Sequence, residues 1–181
     1  MTKYLALKTA TGSIAANISM LSNTTIPQQP PTAASIKTNT GSIDARLSLF
    51  AIDAKDKVRA PSGGVFLVGT KSDTSAIRVK FDDAPVDSTL TLTSKTSTGS
   101  INADLHPTYE GTFSLSSGLS SPVVSVNDEV EDPVERGRKR TIKFARAGGR
   151  VVAGEVSWGD THVDGGRVDL KSGVGIPRLS L

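Results

Sequence analysis

The chain has no cysteine among its 181 residues, which excludes disulfides, thiolate metal sites and cysteine nucleophiles. Aromatic residues make up only 4% of it, so few large side chains are available to build a core. Long apolar runs are missing as well. Nothing approaches the roughly 18 to 20 consecutive apolar residues of a membrane helix, and the start MTKYLALKTATG lacks the apolar stretch of a secretory signal. No GxSxG is present to form a nucleophile elbow, and the Gly-rich AGGRVVAG lacks the GxGxxG order and following helix of a phosphate cradle.

Small hydroxyl side chains take the place of the missing bulk: 41 residues are Ser or Thr. The length suits one hydrophobic core, so a single domain over 1–181 is expected. Charge is uneven. The net +3 comes from the last quarter of the chain, and the sharpest contrast lies in DEVEDPVERGRKR, where Asp128, Glu129, Glu131, Asp132 and Glu135 precede Arg136, Arg138, Lys139 and Arg140.

The chain repeats itself. KTATGSI (Lys8 to Ile14), KTNTGSI (Lys37 to Ile43) and KTSTGSI (Lys95 to Ile101) match almost letter for letter, and the second interval is twice the first. The skipped copy is expected in VFLVGTKSDTSAIRVKF, a looser version in which Ile77 takes the motif isoleucine's place after a shift of a few residues. Weaker echoes follow in FSLSSGLSSPVVSV, TIKFARAGGRVVAGEV and GRVDLKSGVGIPRL. After each motif the apolar residues alternate, as in Ile14, Ala16 and Ile18, or Ile43, Ala45, Leu47 and Leu49, or Ile101, Ala103 and Leu105. A period of two marks a strand with one buried face. No stretch has convincing helical periodicity, so an all-β fold is expected.

Near-identical units of strand, corner and strand fit a β-solenoid of about six stacked coils, with a β-sandwich as the alternative. Stacking explains why one heptapeptide is reused, because equivalent residues of successive coils then lie about 4.8 Å apart. Insertions are expected near 22–34, where three prolines break the alternation, near 51–64, and at the charged stretch 127–141.

The pattern LxLxTxTGSIxAxL, repeated once per coil, resembles the adhesin-type β-solenoids of bacteria and their fungal relatives, and LHPTYEGTFSLSSGLSSPVVSV is similar to the fungal version. The resemblance runs from about Tyr4 to Leu181. It implies a stacked β scaffold with a surface or scaffold role, no catalytic residues and no cofactor, and it is the only pointer to a secreted or cell-surface location.

The TxT pairs invite an ice-binding reading. Parity argues against it, since Thr9 and Thr11 share the face of Leu5 and Leu7 and are expected to point inward, leaving Lys8, Lys37 and Lys95 outward. His106 and His162 are the ready general bases near neutral pH. His162 sits in WGDTHVDGG, where Asp160, His162 and Asp164 are weak candidates for a divalent metal, and an exposed turn explains the same letters. Arg136, Arg138, Lys139, Arg140, Lys143, Arg146 and Arg150 form a stretch without an acid that is a candidate for polyanions, although the acids before it can neutralise it locally.

The expected function is therefore a non-catalytic structural or interaction module that binds a protein or carbohydrate partner through loops. A carbohydrate-active β-solenoid enzyme and a polyanion binder through 136–150 are the alternatives. Sequence-specific nucleic-acid binding is not expected, and association of copies through terminal coils is.

Overall fold

Alternating apolar residues on both sides of a hydroxyl-glycine corner fold as strand, corner, strand. The computed structural model describes residues 4–24, 30–53, 58–127, 129–159 and 165–181, and every element in them is a β-strand. The strands fall into pairs: β1 (Tyr4–Lys8) with β2 (Ile14–Asn23), β3 (Thr32–Thr38) with β4 (Ile43–Asp53), β6 (Val65–Ser72) with β7 (Ile77–Asp83), and β8 (Thr89–Thr96) with β9 (Ile101–Asp104). Two more pairs are β10 (Gly111–Ser117) with β11 (Val123–Ser125), and β14 (Gly166–Ser172) with β15 (Pro177–Ser180). The remaining strands are β5 (Val58–Ala60), β12 (Arg140–Gly148) and β13 (Val151–Trp158).

The first member of each pair joins one sheet and the second joins the other. Sheet A runs β1-β3-β6-β8-β14-β10-β13-β12, and sheet B runs β11-β15-β9-β7-β4-β2. The paired strands thus occupy six levels, and within each sheet neighbouring levels are parallel and in register. One hydrophobic core lies between the sheets, drawing Ile36, Val68, Leu92 and Leu115 from sheet A and Leu47, Val79, Ala103 and Leu179 from sheet B.

The register explains the repeat. Ile14, Ile43, Ile77 and Ile101 are successive vertical neighbours, and Pro177 takes the same place in β15. Beside them run Ala16, Ala45, Val79, Ala103 and Leu179. The loose copy with Ile77 is therefore a full member of the stack.

Corner hydroxyls form a second ladder. Thr38, Ser72, Thr96, Ser172 and Ser117 occupy one register position. Each donates to a corner carbonyl one level away: Thr38 to Gly12 (3.0 Å), Ser72 to Gly41 (3.0 Å), Thr96 to Ser75 (3.1 Å), Ser172 to Gly99 (2.8 Å) and Ser117 to Gly175 (3.0 Å). Four of them also accept the backbone N–H three residues on, as Thr38 does from Gly41 at 3.1 Å. A valine at 38 keeps the shape and strands both groups, so Thr38→Val is expected to cost about 1–3 kcal/mol. Thr38→Ser, which installs the residue used at 72, 117 and 172, should move the urea midpoint much less.

Only the first threonine of each motif is inward. Thr11, Thr40 and Thr98 are exposed, which corrects the parity expectation: the strand ends at the first threonine, and the bend turns the second out to cap a carbonyl of the neighbouring corner, as Thr98 does with Thr74 at 2.8 Å. At the corner itself glycine is required where a carbonyl lies directly beneath. A Cβ on Gly41 would collide with the Gly12 carbonyl, whereas one on Gly12, in the end level, would meet only Thr9 at ordinary contact distance.

Two further features differ from a simple reading of the echoes. The last unit, β14 and β15, does not end the stack. It lies between the level of β8 and β9 and that of β10 and β11, so residues 111–125 form the terminal level. TIKFARAGGRVVAGEV is not a stacked unit either. It is an antiparallel hairpin, β12 against β13, because Gly148 (φ 143°) and Gly149 (φ 61°) supply the left-handed backbone of a tight reversal.

The insertions are shorter than the sequence suggests. β2 continues to Asn23, and β3 starts at Thr32. Within 51–64, β4 continues to Asp53, and β5 pairs antiparallel to its end.

Candidate functional site

Sheet A outruns sheet B by the hairpin β12/β13, and residues 126–127 and 129–139 run beneath that overhang. Between them opens a cleft of about 960 Å³, with Val126, Val130, Ile142 and Phe144 as apolar walls and Glu131, Glu135, Arg138, Lys139 and Arg140 as charged ones. Phe144 is 47% exposed and meets the edge of Phe113 at 5.8 Å.

The loop is ordered by one carboxylate. Asp132 Oδ1 accepts from the Val134 N–H at 3.1 Å, and Oδ2 accepts from the N–H groups of Arg136 and Arg138 at 3.0 Å each. The Arg138 guanidinium adds a fork, Nη2 to Oδ1 at 3.0 Å and Nε to Oδ2 at 3.2 Å. With its side chain only 4% exposed and so many donors around it, Asp132 is held far below the ordinary carboxylate range, first by Arg138. Gly137 (φ 68°) and Glu135 (φ 54°) let the chain curl around it.

Trp158 joins this loop to the stack. Its backbone N–H donates to Glu110 Oε2 at 3.2 Å, its indole N–H donates to the Pro107 carbonyl at 3.0 Å, and Glu110 also lies 3.7 Å from Arg138. Arg138 and Arg140 sit 5.9 and 5.8 Å from the indole centroid. All three guanidinium nitrogens of Arg140 are buried without a hydrogen-bond partner among the described residues, and burial lowers its pKa.

The structure thus divides the basic stretch instead of gathering it. Arg138 and Arg140 are half-buried around Trp158. Arg136, Lys139, Lys143, Arg146 and Arg150 are exposed, with Lys143 and Arg146 opposite Glu155 and Ala153 in the ladder and Arg150 at the hairpin turn. Asp160, His162 and Asp164 lie outside the described residues. His106 is half-buried in the turn before β10, where its Nδ1 accepts the Thr108 N–H at 3.3 Å and burial holds its pKa below the ordinary histidine value.

No family model, curated protein or solved structure matches the chain. The chemistry of the cleft therefore has to be read from its own residues. Asp132 is saturated by donors and held ionised, the opposite of what a proton-donating carboxyl needs. Arg140 is the group with unused capacity. The acidic block abutting a basic block in DEVEDPVERGRKR signalled local neutralisation, but not that Asp132 and Arg138 would be the pair. Nothing in the sequence signalled that Arg140 would turn inward onto Trp158.

Proposed function

We propose that the chain is a β-solenoid interaction module of the adhesin-like kind, with six coils as scaffold and the cleft walled by Val126, Val130, Arg140, Ile142 and Phe144 as the surface that receives a protein partner. The in-register parallel levels support the solenoid reading over a hairpin-built sandwich.

The observation that carries the functional reading is the guanidinium of Arg140 on the cleft wall, unpartnered among the described residues. A buried charge without acceptors is costly, and a carboxylate supplies the bidentate acceptor it lacks. The four apolar walls suit side chains next to that carboxylate. β12 ends sheet A with one edge unpaired among the described strands, so an extended acidic and apolar protein segment has main-chain partners as well. Binding of such peptides, measured by fluorescence anisotropy beside a glycan panel, is expected to weaken about tenfold or more in Arg140→Met and in Phe144→Ser. Peptide binding that ignores both substitutions would overturn the reading. So would turnover of a glycan, which the carbohydrate-active alternative requires.

The opposite end of the stack supports a second kind of partner. The outer edges of β1 and β2 have no strand beside them among the described residues, and Tyr4 and Leu5 are exposed at 63% and 40%. Two copies could join there edge to edge, a state that light scattering at increasing concentration reads directly.

A further inference from the structure

The outer face of sheet A carries a row that the fold does not need. Lys8, Lys37, Lys71, Lys95 and Lys171 occupy one register position on five successive levels, and all five are exposed. At the strand spacing of about 4.8 Å the row spans about 19 Å. Lys71 pairs with Asp73 at 3.0 Å. The other four make no ion pair among the described residues, and the nearby Asp169 is taken by Arg167 at 2.7 Å.

Like charges directly opposite one another on neighbouring strands destabilise a sheet. Protection of a sheet edge does not explain them, because β3, β6, β8 and β14 are interior strands. The corner sequences sharpen the point. KTATGSI, KTNTGSI and KTSTGSI differ at one position only, but the drifted corners KSDTSAI and KSGVGIP also begin with lysine followed by a hydroxyl residue. The hydroxyl is explained by the carbonyl it caps. The lysine has no such internal duty.

We propose that the lysine row is a binding site for an acidic polysaccharide lying across the strands. Along the row, the pyranose repeat of an extended glycan is close to the strand spacing, so carboxylates or sulfates can meet successive ammonium groups. Beside the lysines, the next outward row is Ala6, Ser35, Gly69, Thr93 and Asp169; the first four are low enough for a chain to approach the sheet, and Asp169 is neutralised by Arg167. A shallow depression of about 330 Å³ opens between Lys95 and Lys171. The row beyond that is Tyr4, Ala33, Leu67, Thr91 and Arg167, and single-stranded nucleic acid is disfavoured because Tyr4 at the very edge is the one aromatic residue in these three outward rows and offers no run of stacking platforms. The site lies on a sheet face and not in the cleft, so it stands or falls independently of Arg140.

The test compares polygalacturonate and dextran sulfate with neutral dextran, an oligothymidylate and phosphatidylserine vesicles, all near physiological salt. Wild-type protein should bind at least one acidic glycan and not dextran, and K37A/K95A/K171A should bind it about tenfold or more weakly with a shallower salt dependence. A control with the same charge loss on the outer face of sheet B, R46A/R78A/R178A, should stay within about twofold of wild type. The proposal is overturned if neither acidic glycan binds, if the control loses as much as the lysine variant, or if the oligonucleotide or vesicles bind more tightly than the glycans. Since the three lysines are exposed, matching urea midpoints will show that the variant is folded.

Discussion

Removing residues 166–181 is expected to abolish the folded state, not to shorten the molecule by one level. β14 lies between β8 and β10, and β15 lies between β9 and β11. Their loss unpairs four strand edges in mid-stack and opens a gap where Val168, Leu170, Leu179 and Leu181 were buried. At roughly 1.5–3 kcal/mol for each large side chain, the apolar loss alone reaches the net stability of a typical domain. The hydroxyl ladder breaks at the same place, because Ser172 caps Gly99 and Gly175 is capped by Ser117. The truncated chain should have no cooperative urea transition. Deleting residues 1–30, which removes only the end level, should leave one, as nearest-neighbour coupling in a stack requires.

Trp158→Ala is expected to cost about 3–5 kcal/mol, the range for removing a fully buried large aromatic side chain. The indole is 2% exposed and is the platform on which Arg138 and Arg140 rest. Its loss uncovers both guanidinium groups and frees the loop from the stack. Trypsin should then cut at Arg136 and Arg138 well before it cuts the strands. Trp158→Phe keeps a ring beneath the arginines but leaves the Pro107 carbonyl without its donor, a loss of about 1–3 kcal/mol. A loop equally resistant to trypsin in both variants would mean that Asp132 alone holds it.

Much of the scaffold could be read from the letters, because stacking writes the same environment into each copy. Ile14, Ile43 and Ile101 share a heptapeptide since they share a register position, whereas Ile77, whose corner has drifted and whose spacing is 34 residues instead of 29, is betrayed by the alternation that follows it. The order of the levels was not legible for the same reason. Each level offers an almost identical inward pattern of small and branched residues, so the strands at 166–180 could pair equally well with 89–104 or with 111–125, and they do both. The hairpin at 140–158 was mistaken for a stacked unit because strand alternation reads alike in parallel and antiparallel ladders. Only Gly148 and Gly149 distinguish it, through the tight reversal they permit.

The site divides along a similar line. Local neutralisation between the acidic and basic blocks was visible, but the choice of Asp132 for Arg138 rests on the curl at Glu135 and Gly137, which the letters do not specify. Arg140 was grouped with its basic neighbours, and its inward turn depends on Trp158, eighteen residues away across the hairpin. The lysine row was half visible: Lys8, Lys37 and Lys95 point outward by parity, but Lys71 and Lys171 join them only once the levels are stacked.

Engineered disulfides test the order of the levels most directly, and the absence of native cysteine leaves no competing thiol. Asn102 faces Arg178 on the adjacent strand, and Val123 is the neighbour of Arg178 on the far side. Under mild oxidation N102C/R178C should cross-link nearly completely. N102C/V123C should not, since two strand spacings, about 9.6 Å, exceed the reach of a disulfide. Cross-linking of N102C/V123C without that of N102C/R178C would place residues 111–125 directly on 89–104 and contradict the intercalated stack.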